Sequence, residues 1–313
     1  MNGWIILDKP LGLGSTQGVS AVKRALREGG YPKVKVGHGG TLDPLATGVL
    51  PIAIGEATKL CGRMLDASKV YDFTICFGTE TAGLDAEGEV VAQSAVRPAL
   101  AEVEVVLPRF TGPISQVPPA FSAIKIDGRR AYDRARAGET VEMKAREVEV
   151  YSLSRSPEPV EGRVDAESVA SASSALTDRV DSITLTAHVS KGTYIRSLAR
   201  DISHALGTVG HVSMLRRTRA GPFGLEHAIS LDILEKHAKG RTLEDISLPL
   251  EAGLDDIPAL SLTPDLARLV RQGRVLDGVA AADGTYCAWD GDVPVALVDV
   301  WNETVRVVRG FNL

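Results

Sequence analysis

The sequence predicts an α+β fold, on three observations. Helical periodicity marks two well-separated stretches, apolar–polar alternation marks a strand between them, and the strand and helix patterns follow no regular βαβ rhythm. With 313 residues, 44% hydrophobic and 24% charged, the chain has the length for one large domain plus a small one, and the apolar content for a sizeable core.

The elements follow in order. "MNGWIILDKP", with five apolar residues and then a charge pair, reads as a first strand and as neither a secretory signal nor a transit peptide. "STQGVSAVKRALRE", residues 15 to 28, reads as a helix: Ser15 is the candidate N-cap, and Val19, Val22 and Leu26 recur at helical spacing. "ATGVLPIAIG" is apolar enough for a buried strand. "VYDFTICFGTET" alternates Tyr71, Phe73, Ile75 and Phe77 against Asp72, Thr74 and Cys76, a half-buried strand, and "GLDAEGEVV" turns it into a hairpin partner. The Ser/Ala/Glu-rich stretch 154–182 reads as a long flexible loop or solvent-facing insertion. "GTYIRSLARDISHALG" is the second clear helix, with Ile195, Leu198, Ile202 and Leu206 on one stripe and Gly207 as its stop. A boundary is expected at about 245–250, giving domains 1–247 and 248–313. The second is a small, mostly-β module with a helix around Leu266, Leu269 and Val270 and strands such as "VALVDVW" and "TVRVVRG".

Charge and cysteine usage narrow the functional classes. No apolar stretch reaches the roughly 18–20 residues that span a bilayer. Cys61, Cys76 and Cys287 have no CxxC spacing and are odd in number, which points to a reducing compartment, the cytoplasm, and away from structural zinc. Net charge is −5, but its distribution is uneven: from Leu225 onward there are 15 acids against 8 bases. Between residues 191 and 219, Lys191, Arg196, Arg200, Arg216, Arg217 and Arg219 face only Asp201. A second cluster holds Lys125, Arg129, Arg130, Arg134, Arg136, Lys144 and Arg146 among four acids. Either cluster alone reads as the solvated face of a helix; two in an acidic protein suit a polyanion such as a phosphate backbone.

Several catalytic classes fail on pattern. The six histidines are scattered, with no HExxH, so no metal site is expected. No Gly-Lys-Ser/Thr follows the glycines of "GHGGTLDPLATG", which excludes a P-loop, and there is no GxSxG elbow. Asp43 is the only acid between Glu28 and Glu56. From the residues alone it is either a turn residue before Pro44 or an active carboxylate. Gly37, Gly39 and Gly40 allow close approach of a ligand, and Arg196, at the edge of burial on its helix, is a candidate bidentate partner.

"GHGGTLDPLATGVLPIAIGEATK" resembles the central motif of the TruB family of tRNA pseudouridine synthases, and the family's other signatures appear in order around it. "WIILDKPLGLGS" resembles its N-terminal Lys-Pro motif and "VYDFTICFGTETAGLDAEGE" its tyrosine-bearing strand. "VPPAFSAIKIDGRRAYDRARAGE" resembles its RNA-gripping insertion, and "SKGTYIRSLARDI" with "GHVSMLRRTRAGPF" its arginine and leucine elements. The match covers about residues 3 to 225, and the tail from about 250 resembles a PUA-like β-domain. Many members carry Ser or Thr where this chain has Gly14, which leaves the first helix cap to Ser15.

The resemblance implies a pseudouridine synthase fold with a mixed, largely antiparallel central sheet flanked by helices, and isomerisation of uridine 55 in the T-loop of tRNA. It implies Asp43 as the catalytic aspartate, Arg196 as its partner, and Tyr71 as the residue that stacks on the flipped uracil and is placed to remove the C5 proton. Tyr194 and Leu215 would line the uracil pocket, His38 would pack where the base leaves its stack, and Lys9 would support the active-site loop. Lys125, Arg129, Arg130 and Arg134 in the insertion at about 117–147, with Arg216 and Arg217, would meet the RNA backbone. The reaction needs no cofactor and no metal, and the protein is expected to act on the T-arm alone, as a monomer. The alternative is a tRNA-binding and folding factor on the same scaffold; a phosphate-ester hydrolase is disfavoured by the lack of metal ligands.

Overall fold

A computed structural model describes residues 1–122, 124–126, 128–156 and 179–313, with Lys125 described by its backbone alone. The chain divides into two compact units. One comprises Met1–Asp43, Gly48–Leu65 and Ala220–Leu313, the other Pro44–Thr47 and Asp66–Arg219.

In the first unit the N-terminal strand Gly3–Lys9 runs antiparallel to Ala46–Ile54, in register from Gly3 against Ile54 to Lys9 against Gly48. The apolar runs of both strands are buried, from Trp4 to Leu7 and from Val49 to Ile54. Val36–His38 pairs with the end of Ala46–Ile54. Trp4 stacks at 5.1 Å on Phe223 and donates its indole N–H to the Leu250 carbonyl at 3.1 Å. Ile6, Val49, Ala53, Leu60 and Phe311 join the same cluster, where full burial of one such side chain contributes about 1.5–3 kcal/mol. Leu248–Pro249 pairs with Gly3 and Trp4, so the chain still belongs to the layer of the first strand at the expected boundary. A separate sheet begins only at Ala259, in the order Ala259–Leu262, Gly284–Asp290, Val293–Trp301, Thr304–Gly310. Helix Pro264–Arg271, capped by the Thr263 hydroxyl, packs Ala267 and Val270 into its core.

The first helix spans Ser15–Glu28 and buries Val19, Val22, Ala25 and Leu26, as its period predicts. Its cap differs from expectation. Gly14 is the N-cap residue and donates its N–H to the Gln17 side chain at 2.6 Å, while the Ser15 hydroxyl is committed elsewhere, to the backbone of Leu42.

In the second unit the strands follow the order Gly210–Ala220, Lys69–Phe77, Ser182–Val189, Arg146–Arg155, Gly112–Gln116. Phe73, Ile75 and Phe77 point into a core shared with Leu185, Ala187, Leu198 and Ile202, the last two from helix Ile195–Ala205. On the alternate positions Asp72 accepts from the Thr186 hydroxyl at 2.7 Å, and the Thr74 and Thr184 hydroxyls meet at 2.9 Å. The expected hairpin forms, but from the last three residues of "VYDFTICFGTET" and not from the long strand. Gly78, at φ +94°, ends the long strand, and the hairpin pairs Thr79–Thr81 with Val90–Gln93; Lys69–Phe77 instead lies between two strands distant in sequence. Of the expected loop 154–182, Ser154 and Arg155 lie in one strand and Ser182 opens another, while 157–178 fall outside the described residues.

Candidate active site

Asp43 is half-buried at the end of a loop held by both of its neighbouring elements. On one side, Ser15 at the start of the first helix both donates to the Leu42 carbonyl at 2.9 Å and accepts from the Leu42 N–H at 2.8 Å. Leu42 is 4% exposed, so these are buried bonds on the residue directly before Asp43. On the other side, the Gly39 N–H donates to the Pro51 carbonyl at 2.8 Å. A Cβ on Gly39 would lie 2.7 Å from the Met64 Cβ, and Gly40 has φ +147°, so both positions need glycine. His38 ends the short strand Val36–His38, with its Nδ1 accepting from the Gly40 N–H at 3.4 Å. Lys9 is fully buried, and its ammonium donates to the carbonyls of Pro10 at 3.0 Å and Leu13 at 2.7 Å. It therefore organises the turn that leads into the first helix, which suits support of the loop rather than contact with a ligand.

The second unit holds Tyr71, Arg196, Tyr194 and Leu215. Tyr71, opposite Ala187 on the strand Lys69–Phe77, and Leu215, on Gly210–Ala220, both border the apolar cluster built on Phe73 and Leu198. Tyr194 and Arg196 stand at the start of helix Ile195–Ala205. Arg196 is 6% exposed, and its guanidinium donates to the Gly83 carbonyl at 2.8 Å, the Asp85 carboxylate at 3.0 Å and the Phe121 carbonyl at 3.0 Å. A planar fork of five donors is suited to such a set, and a lysine is not. Asp85 was not singled out from the sequence, where "GLDAEGE" reads as a turn; only the fold brings it to Arg196.

The basic residues divide by environment. Arg129 and Arg134 both bind Glu139, at 2.9 and 2.7 Å, and these cations hold its carboxyl below the usual range. Arg130 is exposed beside them. Lys125 lies in the strand Lys125–Ile126, paired with Arg129–Arg130. Arg216 is half-buried, with its Nη1 3.5 Å from the Thr47 hydroxyl. Arg217, expected at the RNA surface, is instead 1% exposed: the fold buries it in the strand Gly210–Ala220, while Arg219, two residues on, stays exposed. There it lies near Lys69, another buried cation, whose pKa burial and then Arg217 push down to about 8. Among the described residues no three His, Cys, Asp or Glu side chains are grouped as metal ligands, and no helix is long and apolar enough to cross a membrane.

The model of "TruB family pseudouridylate synthase (N terminal domain)" matches residues 26–195, and that of "tRNA pseudouridylate synthase B C-terminal domain" matches 196–255. The chain belongs to the TruB family of pseudouridylate synthases. It is therefore a member of an isomerase family. It is 63% identical over 313 residues to the tRNA pseudouridine synthase B of Novosphingobium aromaticivorans, covering all of this chain and 98% of that one. The corresponding protein of Zymomonas mobilis is 54% identical, with 100% and 96% covered. Among solved structures, a chain of an H/ACA RNP bound to a substrate RNA containing 2′-deoxyuridine superposes with TM-score 0.69 at 25% identity, over 99% of this chain and 85% of that one. One from a Cbf5–Nop10–Gar1 complex gives 0.68 at 26%, over 99% and 84%. The α+β class, with its mixed sheet, helices and small C-terminal sheet, agrees with these structural neighbours, which share the pseudouridine synthase fold. The TruB models end at residue 255, just before the C-terminal sheet begins at Ala259.

Proposed function

We propose that this protein converts uridine 55 in the T-loop of tRNA to pseudouridine. The observation that carries the reading is the pair of TruB family matches over residues 26–255; Asp43, Tyr71 and Arg196 are the residues that the sequence resemblance assigns to the chemistry. The relatives' name, tRNA pseudouridine synthase B, supports tRNA as the substrate.

In this reading the target nucleotide leaves its stack, at a cost of a few kcal/mol that stacking and pocket contacts offset. Tyr71 stacks on the uracil, Tyr194 and Leu215 line its pocket, and His38 packs where the base departs. The Asp43 carboxylate acts on the ribose while the bond from C1′ to N1 breaks, and Arg196 orients it. The freed uracil then bonds to C1′ through C5; C5 gives its proton to Tyr71, whose own phenolic proton passes through solvent to N1, so the tyrosine ends as it began. Two routes fit the carboxylate: attack on C1′ to form a covalent sugar ester, from which C5 displaces the carboxylate, or proton abstraction at C2′ to form a glycal, to which Asp43 returns the proton as C5 bonds to C1′. Arg130 and Arg216 supply backbone contacts, and Lys125, Arg129 and Arg134 complete the basic surface of the insertion. The product is an isomer of the substrate, so atoms balance without a cofactor, and the protein acts alone.

The test incubates purified protein with an unmodified tRNA transcript and maps pseudouridine. Product at nucleotide 55 is expected, and none from Asp43→Asn. Wild type giving no product there overturns the reading, and full activity in Asp43→Asn overturns the role of Asp43. RNA binding retained by Asp43→Asn and weakened by salt is expected of a phosphate-binding surface.

A further inference from the structure

The start of helix Ile195–Ala205 is sewn to the segment that leads into the basic insertion. Gln116, the last residue of the strand Gly112–Gln116, is 1% exposed. Its amide oxygen accepts from the Tyr194 N–H at 2.7 Å, and its amide nitrogen donates to the Tyr194 carbonyl at 3.1 Å. Next along the chain, the Val117 carbonyl accepts from the Ser197 hydroxyl at 2.8 Å and from Arg200 at 3.3 Å. The Phe121 carbonyl accepts from Arg196 at 3.0 Å.

Tyr194 is the N-cap residue of this helix, in extended conformation, and no side chain caps it in the usual way. The Gln116 amide grips both of its backbone polar groups from a different element. Only a side chain with donor and acceptor on one planar fork can do this, which an amide has and a carboxylate lacks. Tyr194 and Arg196 are two residues apart, so this grip fixes the direction in which the helix presents both.

We propose that Gln116 is a positioning residue for the isomerisation, holding Tyr194 and the Arg196-bearing helix start in the geometry that turnover needs. The inference rests on the function proposed above. It separates Gln116 from the RNA-gripping surface: its loss disturbs the pocket and leaves the basic insertion intact.

Two variants test it. Gln116→Ala removes the grip; kcat is expected to fall about 10-fold or more, with the Kd for tRNA within about twofold of wild type. Gln116→Glu keeps the size, but the ionised carboxylate faces the Tyr194 carbonyl. Once protonated, it donates to that carbonyl and still accepts from the N–H, restoring the native pattern. Burial against a carbonyl raises a glutamate above its ordinary pKa of about 4.3. The ratio of Gln116→Glu to wild-type turnover is therefore expected to rise several-fold between about pH 8 and about pH 6, while the ratio for Gln116→Ala stays flat. A general packing role would give losses without pH recovery, or a rise in KM alone, and either outcome overturns the proposal. Should Gln116→Ala fail to fold, the pH ratio of the isosteric variant decides. Wild type without product overturns the functional reading and this inference together, whereas an active wild type beside a pH-independent Gln116→Glu overturns the inference alone.

Discussion

Ser15 holds Leu42 by both of its backbone groups, at 2.9 and 2.8 Å, so the residue before Asp43 is fixed from the first turn of the N-terminal helix. Both residues are buried. Ser15→Ala would leave the Leu42 N–H and carbonyl without this partner, at a cost of about 1–3 kcal/mol. Urea unfolding is expected to show that loss together with reduced turnover, because the loop carrying Asp43 loses an anchor. Unchanged stability and turnover would remove Ser15 from the positioning of Asp43.

The Arg196 guanidinium donates to the Asp85 carboxylate and to the carbonyls of Gly83 and Phe121. Removing one member of a buried ion pair costs about 3–5 kcal/mol, because the other charge stays behind. Arg196→Ala is expected near that range, and Asp85→Asn well below it, since the amide oxygen still accepts from the guanidinium. Arg196→Lys should fold and yet lose most of its turnover, because one ammonium cannot replace the fork. Chemical denaturation and pseudouridine mapping on the same three variants check this; a normal Arg196→Ala would refute it.

Local periodicity accounts for what the sequence made legible. The helices over 15–28 and 195–205 and the strand around Phe73 follow from the spacing of Val19, Val22, Leu26, Ile195, Leu198, Ile202, Phe73 and Ile75. The partners of that strand were not legible, because pairing with 182–189 depends on register across more than a hundred residues. For the same reason Asp85 reads as a turn residue and Gln116 carries no signal in the sequence: each acts through a contact distant in sequence. Ser15 was read as a helix cap because Ser at a helix start usually is one, yet its hydroxyl found a stronger claim in the Leu42 backbone. Arg217 counts with its charged neighbours in the sequence, whereas the fold buries it in a strand whose burial follows no simple alternation.

The C-terminus clasps the turn that follows the strand Ala46–Ile54. The Lys59 ammonium donates to the Gly310 carbonyl at 2.8 Å and binds Glu56 at 2.6 Å, and Glu56 accepts from the Asn312 N–H at 2.7 Å. Burial pushes the Glu56 carboxyl up, but the Lys59 and Asn312 bonds outweigh it and hold the pKa below the ordinary 4.5. A carboxyl depressed by folding stabilises above its unfolded pKa, and that contribution is lost as pH falls through the folded one. The stability advantage of wild type over Glu56→Gln should therefore be present at neutral pH and fade below pH 4.5. An advantage independent of pH would show that the charge of Glu56 is not what holds the tail. Phe311→Ala empties a buried site in the Trp4 cluster and is expected to cost about 3–5 kcal/mol while leaving tRNA affinity unchanged.

Lys69 gives a pH dependence of the opposite kind. It is 7% exposed, on the strand two residues before Tyr71, and its ammonium donates to the Ala67 carbonyl at 2.5 Å. Burial, then the Arg217 guanidinium, lower its pKa from 10.5 to about 8; Asp66 opposes this and Lys191 adds to it. Folding thus penalises the charged form. The penalty is complete below pH 8, and it is relieved as pH rises from 8 to 10.5, where the unfolded chain still holds the proton that the folded chain has released. Lys69→Met abolishes this titration. The stability of wild type minus that of Lys69→Met should be flat from neutrality to about pH 8, then shift in favour of wild type up to 10.5. Urea unfolding across that interval reads the difference directly, and a flat line throughout would mean that Lys69 keeps its ordinary pKa in the fold. Because Tyr71 shares the strand face, turnover measured alongside separates the two effects: the stability difference follows the lysine proton, whereas a loss of turnover that is constant with pH reports only a displaced Tyr71.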